Sequence, residues 1–289
     1  DVYKRQMLLR VNVMGGMLRT QRLNRDLDRA LEWIQNEIEQ IARVQRSLLP
    51  REMPRIQGVD VAARWETFDQ AGGDYYDFLP WAADDACPER WTWILADASG
   101  HGPASAVIVA MLHVMLRALP EPKSGPAALL ADINARLFDC PSCSNFMTAI
   151  VACYAPETRT LRYAVAGHHP PLVRGADGGV GRLPVDPAVP LGVLDAVDAP
   201  TGEVVLEPGT TLVMYTDGIT EANDDTGSEE YGRDRLLHVL RAARHLDPIA
   251  IVDRVFSDVE AFSAVSPPAD DQTLVVVKRQ LSTPEEIPA

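Results

Sequence analysis

Trp93-Ile94-Leu95-Ala96-Asp97-Ala98-Ser99-Gly100-His101-Gly102-Pro103-Ala104 joins an apolar run to a Gly-rich turn through a single aspartate. Trp91 to Ala96 combines aromatic and β-branched residues in a short run, the signature of a buried strand. The run ends on Asp97. A Gly-rich turn follows, and residues 104–112 (ASAVIVAML) read as a helix. A carboxylate at the end of a core strand is costly unless it is paired or bound to a cation. A simple turn would explain Asp97 if it stood alone.

It does not stand alone. Asp74 follows Gly72-Gly73 and enters a strand. Asp217, in Thr216-Asp217-Gly218, ends the strand 211–216. Asp270-Asp271 directly precede the last strand, 272–277. Each has an ordinary turn explanation by itself. Together, four carboxylates at strand ends with no histidine or thiol partner suit a hard, oxygen-preferring cation such as Mg²⁺ or Mn²⁺. Two such ions can hold and acidify a bridging water for attack on phosphorus. One carboxylate must then serve both ions. Asp97 is the candidate, because the glycines after it let the backbone approach an ion closely.

The surroundings bound the class of protein. The chain has 289 residues, of which 46% are hydrophobic and 24% charged, enough for a sizeable core. Its formal net charge of -14 repels phosphate backbones, so nucleic acid is not an expected partner. Cys87, Cys140, Cys143 and Cys153 include one CxxC and no second pair, so they read as reduced and structural rather than zinc-binding. No signal peptide or membrane-spanning run is visible, and a cytoplasmic location is expected.

Residues 1–19 carry no assignable pattern and read as the end of an upstream region. In residues 20–50, Leu27, Ile34, Ile41 and Leu48 recur every seven residues, with Leu31, Ile38 and Gln45 at the alternate positions. This is an a/d heptad pattern. It predicts a linker helix that forms a parallel coiled-coil homodimer beneath an upstream sensor domain, or an amphipathic helix packed on its own domain. Gln45 weakens such a seam and pins its register. Pro50 and Pro54 end the helix.

From Gly58 the texture changes to short strands separated by turns. Residues 127–138, 233–244 and 248–262 read as helices, residues 146–154 and 160–166 as an antiparallel pair, 175–185 as a surface loop, and 280–289 as a polar tail. The strands come in two groups with helices between them. The expected class is therefore α+β, two stacked, mainly antiparallel sheets flanked by helices, with the compact domain spanning 58–279.

Five motifs then occur in order: Ala71-Gly72-Gly73-Asp74-Tyr75-Tyr76-Asp77, Leu95 to Gly102, Ala166-Gly167-His168-His169-Pro170-Pro171, Tyr215-Thr216-Asp217-Gly218-Ile219-Thr220-Glu221-Ala222, and Asp270-Asp271-Gln272-Thr273. Their succession resembles that of the SpoIIE/RsbU-type PPM serine/threonine phosphatases, and Gln45 to Pro50 resembles the helix that precedes the domain in many members. The resemblance implies an αββα sandwich with a site for two Mn²⁺ or Mg²⁺ ions. It implies that Asp97 bridges both, that Asp74 and the carbonyl of Ala98 complete one, and that Asp217 and Asp270 complete the other. Asp97, Asp74 and Asp217 would carry the catalysis, with Asp271 as a substitute ligand or acting through water, and Asp77 structural. The implied substrate is a phosphorylated STAS-domain anti-anti-sigma protein in a partner-switching pathway.

Other readings compete. The Gly72-Gly73-Asp74 turn also resembles that of diguanylate cyclases, but this leaves the Thr-Asp-Gly and Asp-Asp motifs unexplained. A pseudophosphatase acting as a binding module is the non-enzymatic alternative, although aspartate stands at every candidate position. Arg64 is the candidate phosphate-binding arginine, with a surface role expected. His101 is expected to be a turn residue, and His168 and His169 to stiffen a Pro-rich turn.

Overall fold

The computed structural model of the chain describes residues 2–81, 90–118, 125–140, 146–186, 188–263, 268 and 270–281. Cys87, Cys143 and the tail 282–289 lie outside the described residues, whereas Cys140 and Cys153 are free thiols.

Among the described residues, ten strands form two five-stranded sheets, antiparallel at every pairing of the named strands. One contains β1 (Val59–Glu66), β10 (Gln272–Arg279), β9 (Thr211–Tyr215), β6 (Leu172–Arg174) and β7 (Val180–Arg182), in that spatial order. The other contains β2 (Asp74–Trp81), β3 (Arg90–Ala98), β4 (Met147–Ala155), β5 (Thr160–Ala166) and β8 (Gly202–Val205). Tyr76, Trp93, Leu95, Ile150 and Tyr154 of the second sheet pack against Leu212, Met214, Val275 and Val277 of the first, forming the core between the sheets.

Each outer sheet face is covered by helices. α2 (Pro103–Ala118) buries Ile108, Val109, Leu112 and Leu116, and α3 (Pro126–Phe138) buries Leu129, Leu130, Ile133 and Leu137. These spacings of three and four residues make one apolar stripe per helix, and both stripes lie on the β2–β3–β4–β5 sheet. α5 (Gly232–Ala242) and α6 (Pro248–Ser263) cover the other sheet through Leu236, Val239, Val255, Phe256 and Val259. Proline opens α2, α3 and α6, where its missing N–H costs nothing. The result is the expected αββα sandwich.

Several boundaries differ from the sequence reading. β3 continues through Asp97 to Ala98, because Asp97 pairs with both Asp74 and Thr148. Asp217 does not end a strand; β9 stops at Tyr215 and Asp217 opens the one-turn α4 (Asp217–Thr220). The expected surface loop 175–185 contains β7, which pairs with β6. The N-terminal helix, α1, runs Val2–Leu48 rather than starting near residue 20. Its 47 residues extend about 70 Å at 1.5 Å per residue. No helix among the described residues is long and apolar enough to cross a membrane.

The heptad pattern of α1 divides in two. Leu27, Leu31 and Ile34 are exposed, whereas Ile41, Ala42, Gln45 and Leu48 lie against the sandwich. Gln45 is a correction: it occupies no coiled-coil seam but is 2% exposed, enclosed by the turn that leads into β2. A buried amide needs partners, and that turn supplies them.

Candidate active site

The antiparallel register of β2, β3 and β4 places Asp74 opposite Asp97 and Asp97 opposite Thr148. The second sheet meets this rim directly. Thr216, just after β9, and Thr273, in β10, each donate a hydroxyl to Asp74 Oδ2, at 2.7 and 2.6 Å. Thr216 Oγ1 in turn accepts from the Thr273 amide at 2.9 Å. Asp74 thus joins the two sheets.

Asp217 follows Thr216. Its neighbour Gly218 has no room for a side chain, since a Cβ there would stand 2.0 Å from the Asp271 carbonyl oxygen. Gln272 Nε2 donates to the Gly218 carbonyl at 3.0 Å. These contacts press α4 onto the Asp270-Asp271 segment and bring Asp217 beside Asp270, so all four aspartates singled out in the sequence reach one rim.

Backbone oxygens converge there too. A Cβ on Gly73 would meet the Ala98 carbonyl oxygen at 2.4 Å, the Gly100 carbonyl oxygen at 3.1 Å and Asp97 Oδ1 at 3.3 Å. The Ala98 amide also donates to the Gly73 carbonyl at 3.0 Å. Gly100 and Gly102 have φ of +86° and +81°, which glycine adopts without strain and which turns the chain sharply back.

The charge of the rim is not offset by its own donors. Burial raises the Asp74 pKa well above the ordinary carboxylate range, and Asp97 and Asp271 add to this against the two threonine hydroxyls. Burial, then Asp217, Asp270, Asp271 and Glu221, push Asp97 up to about 7. Asp270 is raised, first by burial and then by Asp217. A cation would reverse each of these shifts. Hard oxygen donors from side chains and backbone are the chemistry that Mg²⁺ and Mn²⁺ prefer, so the residues present fit such ions. Among the described residues, no three His, Cys, Asp or Glu side chains by themselves form a metal cage. Backbone oxygens, that of Ala98 among them, also lie in this space.

Asp271 is held by backbone amides. Its two oxygens accept the Phe68 amide at 2.9 Å and the Gly73 amide at 2.5 Å. It is buried and holds the 68–73 loop over the site. Asp77 is structural: it accepts from the Tyr75 hydroxyl at 2.6 Å and from Arg117 Nη1 at 2.8 Å. Arg64 pairs with Glu66 and Glu260 and lies over the Phe256 ring at 4.3 Å, so it straps β1 to α6. His101 is exposed and meets the Phe68 ring edge-on at 5.5 Å.

Sequence reasoning missed the residues that support the carboxylates. Thr216 and Thr273 stand next to, or close after, the aspartates and read there only as strand residues. Gln45 was visible as a polar break in a heptad, but its partner was not. Its Nε2 donates to the Gly72 carbonyl at 2.6 Å, and its Oε1 accepts the Gly72 amide at 3.1 Å. The end of α1 therefore grips the turn two residues before Asp74.

The family model described as Stage II sporulation protein E (SpoIIE) matches residues 88–280. Phosphoserine phosphatase RsbU of Bacillus subtilis (strain 168) is 28% identical over 194 residues, covering 67% of this chain and 56% of that protein. Protein IcfG of Synechocystis sp. (strain ATCC 27184 / PCC 6803 / Kazusa) is 24% identical over 275 residues, covering 84% and 41%. This chain thus spans about half the length of the curated relatives it matches. Among solved structures, the RsbU and RsbW domains of Rv1364c from Mycobacterium tuberculosis superpose with a TM-score of 0.65 at 27% identity, over 80% of this chain and 62% of that one. The SiaA-PP2C domain of Pseudomonas aeruginosa shares the fold, with a TM-score of 0.73 at 22% identity, over 86% and 98%.

Proposed function

The chain belongs to the SpoIIE family, and on that premise we propose that it is a protein serine/threonine phosphatase dependent on two Mn²⁺ or Mg²⁺ ions. The observation that carries this is the oxygen-lined space at Gly73, where the Ala98 and Gly100 carbonyls and Asp97 converge beside further carboxylates. The relative RsbU, a phosphoserine phosphatase, supports the reaction class.

In this reading Asp97 would contribute to both ions, Asp74 and the Ala98 carbonyl would help hold one, and Asp217 and Asp270 the other. Such ions would supply Lewis acidity for the attack of water on phosphorus. The chain's own part is positional. Thr216 and Thr273 aim Asp74, Asp271 ties down the loop beside it, and Gln45 fixes the turn before it. The substrate we assign is a phosphorylated STAS-domain anti-anti-sigma protein. Its support is the succession of motifs, together with a structural neighbour in which RsbU and RsbW domains occur in one protein. The exposed Leu27, Leu31 and Ile34 stripe supports a homodimer through α1.

The test is hydrolysis of a phosphoserine protein by EDTA-stripped enzyme titrated with Mn²⁺ or Mg²⁺. Activity should appear only with metal. Asp97→Asn should lower it about 100-fold or more, equivalent to about 2.7 kcal/mol of transition-state stabilisation. Full activity in EDTA, or wild-type rates in Asp97→Asn, would overturn the reading.

A further inference from the structure

His168 is a half-buried residue whose imidazole the proposed chemistry does not use. It follows Gly167, whose φ is +64° and whose Cβ position would lie 2.5 Å from Pro190. A side chain at 167 is thus excluded twice, by backbone conformation and by contact. The Gly167 amide donates to the Ala188 carbonyl at 2.9 Å, and the residue bridges to Ala149 of β4. The turn is held in place, and it directs the next side chain between the sheets.

Both imidazole nitrogens have partners there. Nδ1 lies 2.6 Å from Thr148 Oγ1, and Nε2 lies 3.0 Å from the Tyr215 carbonyl oxygen. A carbonyl only accepts, so Nε2 carries the proton. Burial drives the imidazole pKa down to about 4, so at neutral pH the ring has a single N–H, and Nδ1 accepts from the Thr148 hydroxyl. With both nitrogens engaged, the ring has no lone pair left for a metal, and being neutral it adds no cation to compete for the carboxylates.

The partners decide what the contact does. Thr148 faces Asp97 across the β3–β4 ladder. Tyr215 is the last residue of β9, two before Asp217. The Thr148–His168–Tyr215 chain therefore crosses from the sheet that carries Asp97 to the sheet that leads into Asp217. A second crossing lies on the other side, where Thr216 and Thr273 hold Asp74. Since β3 lies between β2 and β4, Asp97 sits between two inter-sheet braces. One of them contains a proposed ligand and the other contains none.

We propose that His168 is a positioning residue, an inter-sheet strut that sets the separation of Asp97 and Asp217 for shared metal binding. This rests on the metal-dependent reading above. Partners that orient ligands from behind are worth about 10- to 100-fold in metal affinity. Loss of the strut should act on metal binding before it acts on the chemical step.

The experiment uses the full chain, stripped with EDTA, as wild type, His168→Ala, His168→Gln and Thr148→Val. Mn²⁺ binding is measured by calorimetry, and phosphoserine-protein hydrolysis is followed against Mn²⁺ concentration. Wild type should bind two ions. His168→Ala should weaken binding about 10-fold or more, with kcat at saturating Mn²⁺ falling less than the Mn²⁺ requirement rises. His168→Gln, which keeps a donor and an acceptor, should recover part of the affinity, and Thr148→Val should shift it in the same direction as alanine. Thermal melts in EDTA separate folding from metal binding, and the glutamine and valine variants carry the test if alanine does not fold. Wild-type Mn²⁺ affinity in all three variants, or a lower melting temperature with unchanged affinity, overturns the strut alone. A wild-type protein that binds no Mn²⁺ and hydrolyses nothing overturns the phosphatase reading and the strut with it.

Discussion

The two halves of α1 share one heptad pattern and meet two different environments. Around Leu27, Leu31 and Ile34 the apolar stripe faces solvent. One and two heptads further on, Ile41, Ala42 and Leu48 continue the stripe into the sandwich, where Ala42 packs with Ala71 and Ala106. The polar residue of the pattern, Gln45, is the one that reaches the backbone of the Asp74 turn. One continuous helix thus carries an exposed apolar stripe and a packed one, and the change falls between Ile34 and Ile41, before the polar break at Gln45.

The comparison is broken most severely at the buried end. Gln45→Ala leaves the Gly72 amide and carbonyl buried without partners, each worth about 1–3 kcal/mol. It should lower both melting temperature and phosphatase rate, the rate by about 10-fold or more if 1.4 kcal/mol of positioning is lost. Unchanged kinetics would show that the grip on Gly72 matters only for packing.

Next comes the exposed end. Leu27→Lys with Leu31→Lys should convert a dimer to a monomer in light scattering, because charges at both seam positions oppose pairing. The sandwich itself should keep its stability within about 0.5 kcal/mol, as expected for surface positions. A monomeric wild type would remove the coiled-coil reading of this half.

A cut between the halves sharpens the contrast. A chain starting at residue 37 keeps Ile41, Ala42, Gln45 and Leu48, so it should retain metal-dependent hydrolysis while losing the dimer. Loss of activity on that cut would mean that the exposed half also supports the site.

The smallest effect concerns pH. His113 in α2 hydrogen-bonds the Tyr75 hydroxyl at 3.0 Å and the Leu48 backbone, joining the buried end of α1 to β2. Burial and then Arg117 lower its pKa, against Asp77 and Leu48. The unfolded chain therefore binds the proton more readily. Stability from this site is complete above about pH 6.5, the ordinary histidine value, and declines as pH falls below it. Melting curves of His113→Gln should show a shallower decline than wild type between pH 7 and 5. Parallel curves would remove His113 from the acid response.

How much of this was legible beforehand depended on range. Asp74, Asp97, Asp217 and Asp270 were readable because each stands beside a turn signal at a strand end, and their order matched a known succession. The layers followed from period-two strands and from helices with one apolar stripe. The partners of Asp271, Phe68 and Gly73, lie 203 and 198 residues away, so no local pattern shows that it ties down their loop. The pairing of Arg64 with Glu260 is invisible in the sequence for the same reason.

The class of fold, the placing of carboxylates at strand ends and the apolar face of α1 are written in local pattern, since periodicity, turn residues and side-chain type are local properties. That Gln45 holds a turn, that Thr216 and Thr273 hold Asp74, and that His168 spans the sheets emerges only from packing. Those contacts exist because stacking two sheets brings distant segments to one rim, where buried polar groups find partners in one another.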